Sequence, residues 1–410
     1  MDGDRSKRGG DCALPELVIP WPGVPEAHEG DCPAAEALAL LRYGRDRPAA
    51  VRNAELALDA GPCSAHPRCM WRAVSVLLCA GELISADARL RRLENVGRGH
   101  AAELVVVLRA QHARLVGDLS GARKALEPLN AEEAPPFARA LATPFLADVL
   151  TAAGEVAGAE AVLAGADFDG EPAFTRSLLL AARGAVHLEA GRFDESAENF
   201  AACLRLPATE VSAHFAVFHR RGMAALAAGA VGRTDRAASL AAQEQVAALA
   251  WGSPIYVGWA LYVRAVTGDT GAAEALLADA IDLLEVGQSR VVLATAAYEL
   301  GLRLTRTGDS VAAKRELERA GRWARQIGNK RLAAKIETAG DEISQPTPPG
   351  ALTAQEAKIA ELARAGYSNK QIAENLYLAV RTIEFHLSNV YRKLQISGRR
   401  ELKGGAPRRR

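Results

Sequence analysis

Between residues 34 and 340 the chain alternates Leu- and Ala-rich runs of helical period with short polar breaks, and each break centres on a glycine. In "YGRDRPAAV" Gly44 stands five residues before Ala49, and in "AGELISADARL" Gly81 stands five before Ala86. The same offset recurs at Gly117/Ala122, Gly154/Ala159, Gly191/Ser196, Gly232/Ala237, Gly268/Ala273 and Gly308/Ala313. Successive glycines are 37, 36, 37, 37, 41, 36 and 40 residues apart. Nine residues past most of them stands a large apolar side chain: Leu90, Leu126, Leu163, Phe200, Leu277 or Leu317. This pattern predicts helical hairpins. The glycine takes a left-handed conformation that ends the first helix. The small residue at the fifth position lets the second helix approach closely, and the large one buries against its partner. A single hairpin leaves an apolar face uncovered, so the hairpins are expected to stack.

One phrase, "EAGRFDESAENF" (Glu189–Phe200), resembles the tetratricopeptide repeat, whose turn glycine, small residue and Phe/Leu fall at these offsets. The period here is longer and looser. The resemblance implies an all-α, tetratricopeptide-like right-handed superhelix over residues 34–340, built of irregular units. Residues 1–33, with "CALPELVIPWPGVPEAHEGDC", hold no sustained period and read as a flexible arm. At the other end Pro346, Pro348, Pro349 and Gly350 mark a semi-stiff linker over residues 341–350.

Three shorter helices follow within residues 351–403. "LTAQEAKIAELARAG" places Thr353 and Glu356 at capping-box spacing, turns Ile359, Leu362 and Ala363 inward and stops at Gly366. "SNKQIAENL" repeats that spacing with Ser368 and Gln371 and buries Ile372, Ala373 and Leu376. After Tyr377–Ala379 comes "RTIEFHLSNVYRKL", with Ile383, Leu387, Val390 and Leu394 on one stripe and Arg381, Glu384, Phe385, Ser388 and Arg392 on another. Two short helices, the second with a dry back and a mixed polar front, predict a helix-turn-helix.

Charge divides the chain at the same place. Residues 351–410 carry twelve Lys/Arg against five Glu and no Asp, a net +7, whereas the preceding 350 residues sum to −6. A basic module on an acidic body points to a polyanion partner at one end. Aromatic residues are 5% of the chain, so the core is built from Leu, Val and Ala, which favours closely packed helices. No long apolar span and no signal-like start are seen, so a cytoplasmic protein without a membrane partner is expected. The six cysteines (Cys12, Cys32, Cys63, Cys69, Cys79, Cys203) would then be reduced thiols. "CSAHPRC" around His66 invites a metal reading, but its Cys spacing and the lack of a second ligand pair argue against one, so neither a metal nor another cofactor is expected.

The stretch "LTAQEAKIAELARAGYSNKQIAENLYLAVRTIEFHLSNVYRKLQISGRREL" resembles the LuxR-type DNA-binding domain over its full length, in "LT..E", "G.SNK.IA..L", "T[VI]..HL..[VI]..KL" and "R.EL". Repeats followed by this domain further resemble the C-terminal part of large ATP-binding LuxR-type regulators. No G-x-x-x-x-G-K-[S/T] phosphate loop occurs, so a short relative without the ATPase is expected. The resemblance implies base reading by Glu384, Phe385 and Ser388. It implies DNA-backbone anchoring by Asn369, Lys370, Thr382, Arg392, Lys393 and Arg399. His386 matches a structural histidine of the family.

This chain departs from the pattern at three places. Glu384 stands where the family is often basic, Ala379 where a capping Ser or Thr is usual, and Gln395 where Gly usually follows "KL". The fourth helix is cut short by Gly404, Gly405 and Pro407, ahead of a basic tail over residues 404–410.

The expected function is a transcriptional regulator, an activator, that binds promoter DNA as a homodimer beside RNA polymerase. Its repeats would serve as sensor or interaction surface for an unknown ligand or protein, or as dimerisation surface. The alternative is a repeat-protein adaptor with weakened or lost DNA reading. An enzyme is not expected, because His187, His214 and His219 lack a nucleophile or carboxylate at catalytic spacing.

Overall fold

The computed structural model describes residues 32–59, 62–94, 100–168, 170–171, 173–206, 219–268, 271–344, 352, 354–376 and 380–403. Nearly all of the N-terminal arm, most of the proline linker and the basic tail lie outside the described residues. Those described are helical, with no strand among them.

Eight helical hairpins follow in chain order: α1 (Pro33–Tyr43) with α2 (Arg47–Asp59), then, after the short α3 (Pro62–Ala65), α4 (Pro67–Ala80) with α5 (Leu83–Glu94). Next come α6 (His100–Val116) with α7 (Leu119–Leu126), α8 (Pro136–Ala152) with α9 (Val156–Ala164), and α10 (Ala173–Glu189) with α11 (Phe193–Arg205). The last three are α12 (Arg220–Ala230) with α13 (Thr234–Trp251), α14 (Pro254–Thr267) with α15 (Ala273–Val286), and α16 (Arg290–Thr307) with α17 (Ser310–Gln326). A single helix, α18 (Lys330–Ser344), closes the series and continues four residues past the expected start of the linker at 341.

The structure divides into two compact units. The first comprises the described residues up to Ala297 together with Ala320–Ala334, and the second Tyr298–Arg319 together with Lys335 onward.

Within the first unit the hairpins stack in register. The leading helices α4, α6, α8, α10, α12 and α14 each touch the leading helix before them and the trailing helix of that earlier hairpin. The glycine rule explains the turns. Gly44, Gly81, Gly117, Gly154, Gly191, Gly232 and Gly308 have positive φ, which other residues adopt only with strain. Gly268 departs from it, with an extended backbone at φ −98° and ψ 140°. Its connection to α15, which starts at Ala273, includes residues 269 and 270 outside the described ones.

At the fifth position Ala86, Ala122, Ala159, Ser196, Ala237, Ala273 and Ala313 are all buried. In the first hairpin Ala50 takes that place instead of Ala49, because Asp46, itself at φ 45°, adds a turn residue and caps Ala49 N–H at 3.0 Å. All six residues expected at the ninth position are buried, with Leu90, Leu126, Phe200 and Leu277 wholly inaccessible. Burying a Leu or Phe side chain stabilises by about 1.5–3 kcal/mol, so these positions stabilise six of the eight hairpins.

The early turns also meet later hairpins. A Cβ on Gly81 would lie 2.9 Å from Ser253 Oγ, and one on Gly117 would lie 2.9 Å from both Arg290 Cβ and Ile327 Cγ2. On Gly154 it would lie 2.7 Å from Asn329 Oδ1 and 2.8 Å from Arg331 Cβ. The stack therefore winds until its later hairpins rest on the turns of its earlier ones. The contacts satisfy helix ends: Trp251 Nε1–H donates to Cys79 O at 2.9 Å, and Asn329 Nδ2–H donates to Ala152 O at 2.9 Å. Asn329 Oδ1 accepts from Leu332 N–H at 2.7 Å, so one side chain caps the start of α18 and the end of α8. These carbonyls belong to the group a helix C-terminus cannot pair within itself.

By contrast, a Cβ on Gly191 or Gly232 would meet nothing within 4 Å. Gly232→Ala should lose only the left-handed preference, about 1 kcal/mol. Gly117→Ala should lose that and a further ~1–3 kcal/mol of overpacking. Urea unfolding of the two variants side by side checks the difference, and equal losses would show that the coil-to-coil contact at Gly117 carries no energy.

Candidate nucleic-acid interface

The C-terminal module has four helices: α19 (Ala354–Arg364), α20 (Asn369–Leu376), α21 (Val380–Leu394) and α22 (Arg399–Lys403). Its core is Ile359, Ala360, Ala363, Ile372, Ala373, Ile383, Leu387, Val390 and Leu402, edged by Leu362, Leu376, Tyr391, Leu394 and Ile396. The dry stripe of α21 therefore packs on α19 and α20 as its spacing predicts, Leu394 at the rim.

Local chemistry sets the helix ends. Ser368 and Gln371 form a reciprocal capping box: Gln371 N–H donates to Ser368 Oγ at 3.3 Å and Ser368 N–H donates to Gln371 Oε1 at 2.8 Å. Gly366, at φ +100°, ends α19. Gln395 ends α21 at φ +54°, with Ile396 N–H reaching back to Tyr391 O at 2.9 Å. A non-glycine residue there costs about 1 kcal/mol. Thr353, Ala379 and the rest of the turn between α20 and α21 lie outside the described residues, as do the side chains of Arg381 and Thr382.

Across α21 the outward face carries Glu384, Phe385, Ser388 and Arg392, all exposed. Phe385 is 65% exposed although it is a large apolar side chain, its ring edge-on to His386 at 5.8 Å. Ser388 donates its hydroxyl proton to Glu384 O at 2.9 Å, so in this rotamer it offers outward acceptors. Arg392 leans on Asn389 Oδ1 at 3.1 Å and stays exposed. Lys370, on the first turn of α20, is exposed as well.

The other expected anchors have inward partners. Lys393 Nζ donates to Glu356 Oε2 at 2.6 Å, and that carboxylate is buried. The ammonium expected on a DNA phosphate is thus spent joining α21 to α19. Thr353, the other half of the expected capping box with Glu356, lies outside the described residues. Arg399 Nη1–H donates to Asn369 Oδ1 at 2.7 Å, and Nη2–H to Tyr367 O. Arg399 therefore holds the start of α20, and by taking the carbonyl of Asn369 it leaves that amide's N–H groups to other acceptors. Arg399, expected on the DNA backbone, is in this structure a clamp on the start of α20. Sequence reasoning could not separate these cations, because each partner lies 30 or more residues away.

The short α22 is itself braced. Ser397 N–H donates to Glu401 Oε2 at 3.0 Å, and the Ser397 hydroxyl bonds the same carboxylate, which holds the Glu401 carboxyl below its usual range.

This geometry, a short helix with a dry back and an exposed polar front, seated across a second helix, defines a helix-turn-helix DNA-binding module. Residues 350–403 match the family model described as bacterial regulatory proteins, luxR family. The module is therefore a LuxR-type helix-turn-helix domain. Over 75 residues the chain is 31% identical to the transcriptional regulatory protein DegU of Brevibacillus brevis, covering 18% of this chain and 32% of that protein. Over 63 residues it is 38% identical to the oxygen regulatory protein NreC of Staphylococcus epidermidis, covering 15% and 29%. It is 42% identical over 60 residues to a Mycobacterium tuberculosis protein whose name places it with the HTH-type transcriptional regulators, covering 15% and 7%. The chain thus spans a third or less of the length of these relatives.

Removing one member of a buried ion pair strands the other charge. Lys393→Met should therefore destabilise the module by about 3–5 kcal/mol, and the double variant Glu356→Leu/Lys393→Met should recover most of the loss. Gln395→Gly should stabilise by up to about 1 kcal/mol. Thermal unfolding followed by circular dichroism reads all three, and an undisturbed Lys393→Met would refute the structural role of that pair.

Proposed function

We propose that the protein is a sequence-specific, DNA-binding transcriptional regulator that acts by binding rather than by catalysis. The observation that carries this reading is the exposed front of α21, Glu384, Phe385, Ser388 and Arg392, on a helix whose opposite side buries Ile383, Leu387 and Val390. A helix of this kind fits the B-DNA major groove. Glu384 can accept from cytosine N4. Phe385, unfavourably wet in solution, offers apolar contact to a thymine methyl. Lys370, Arg392 and the Asn369 amide can hold phosphates and set the register. Activation beside RNA polymerase and binding as a homodimer to a pseudo-palindromic site complete the proposal.

The hairpin stack serves in this reading as sensor or interaction surface. Support comes from a cavity of about 210 Å³ in the first unit, walled by Arg114, Asp148, His219, Trp259, Tyr262 and Asn329. Arg114 and Asp148 pair there, and the His219 ring lies 4.6 Å from that of Trp259. Burial pushes His219 down to about 3, so it enters the wall as a neutral ring. No helix among the described residues is long and apolar enough to cross a membrane, which suits a regulator acting on DNA.

A second reading, an adaptor that no longer reads DNA, draws on the acidic Glu384 at the front and on the inward commitment of Lys393 and Arg399.

Selection from random duplexes by the full-length protein separates the two. An enriched pseudo-palindromic motif bound far more tightly than random DNA supports the regulator. A salt-dependent background alone favours the adaptor. On the selected motif, Lys370→Ala and Arg392→Ala should each weaken every sequence alike and reduce the salt slope by about one unit. Glu384→Ala should instead relax one position, worth about 1–3 kcal/mol of discrimination.

A further inference from the structure

Three cysteines far apart in sequence meet in the first unit. Cys32 is the residue before α1, Cys63 lies in α3 and Cys69 in the first turn of α4. All three are buried, at 6%, 4% and 1% exposure. The Sγ atoms of Cys32 and Cys63 are 3.7 Å apart, those of Cys32 and Cys69 are 3.6 Å apart, and all three fall within 4.8 Å of one another. These separations are far beyond the ~2.05 Å of a disulfide. They are close to the edge of a zinc–thiolate tetrahedron, where Zn–S bonds of about 2.3 Å put neighbouring sulfurs roughly 3.8 Å apart.

We propose that Cys32, Cys63 and Cys69 form a three-thiolate site for a zinc ion, which clasps the start of α1 to α3 and α4.

Burial and the neighbouring Cys32 sulfur hold the Cys63 thiol above its usual range, so the charge of a bound cation would be what favours the thiolates here. The backbone N–H of Ala34, in the first turn of α1, hydrogen-bonds to Cys63 and offsets a small part of that rise. The cluster offers soft sulfur and no carboxylate, a set that selects zinc over magnesium or calcium. For the fourth position His66 is the nearest candidate by chain geometry. It lies three residues from both Cys63 and Cys69 and its ring nitrogens are shielded from solvent, although they stand outside the sulfur cluster itself. On binding, each thiol gives its proton to solvent and its sulfur lone pair to the metal, with no redox change.

The spacing rule that argued against a metal at "CSAHPRC" considered only ligands inside that motif and a following pair. The third thiol comes from 31 residues upstream of Cys63, brought in by the packing of α1 against α4. Zinc would turn that packing into a covalent-strength closure at the first hairpin, where no earlier described hairpin covers the stack.

The test uses the full-length protein, reduced and stripped of metal, titrated with cobalt(II) and then zinc(II). The expected result is one cobalt per chain. It should show an intense near-ultraviolet thiolate-to-cobalt band, with visible bands of tetrahedral strength, both abolished by one equivalent of zinc. Zinc should also raise the thermal midpoint. Cys63→Ser should weaken binding at least tenfold, whereas Cys203→Ala, at a buried thiol on α11 away from the cluster, should leave it intact. The cobalt spectrum of the unaltered protein decides the matter even if a variant fails to fold. Absence of the charge-transfer band, together with no zinc effect on the midpoint, would overturn the site and leave three thiols packed as small apolar side chains.

Discussion

Every hairpin of this chain crosses at a residue too small to hold its helices apart, and that close approach sets the rest of the first unit. Ala86, Ala122, Ala159, Ser196 and Ala237 are wholly inaccessible at these crossings. Two helices so close present few large side chains to each other. Their remaining apolar surface therefore faces the neighbouring hairpins, which the hydrophobic effect brings into register. The winding that follows brings later hairpins onto earlier turns. Trp251 and Asn329 then donate to carbonyls at the ends of α4 and α8 that the helices cannot pair themselves. The turn glycines of α4, α6 and α8 are needed twice, once for their positive φ and once for the missing Cβ.

In the C-terminal module polar groups settle what apolar packing leaves open. Ile359, Ile372, Ile383, Leu387 and Val390 suffice to bring three helices together, but a core this small leaves their relative placement to few contacts. The Lys393–Glu356 pair joins α21 to α19, and Arg399 joins α22 to the start of α20. A buried carboxylate tolerates only an arrangement that brings it a cation, so the pair acts on geometry more than on net stability. The cations divide accordingly: Lys393 and Arg399 turn inward and join helices, while Lys370 and Arg392 stay exposed.

Much of the fold was legible in the sequence because it rests on local rules. The eight turns, the small residues beside them and the buried residues beyond follow from a period repeated along the chain. The strained Gln395 was visible only through the family resemblance, as a side chain standing where Gly is usual. Ala49 departed from the pattern where Asp46 added a turn residue, a detail a fixed offset does not register, and Gly268 departed in its own backbone conformation. The front of α21 was equally legible, since helical period alone puts Glu384, Phe385, Ser388 and Arg392 on one side.

Partnership across the fold was not legible. Nothing in the local sequence separates Lys393, which meets a buried carboxylate 37 residues away, from the exposed Lys370. Cys32 looks like an isolated thiol until α1 packs on α4 and brings it to Cys63 and Cys69. The sequence by itself determined the helices, their ends and the faces they turn to water, because backbone hydrogen bonding and side-chain period act over a few residues. Only the tertiary structure decided which charges and thiols meet, because those pairings depend on how hairpins wind over distances that no local pattern encodes.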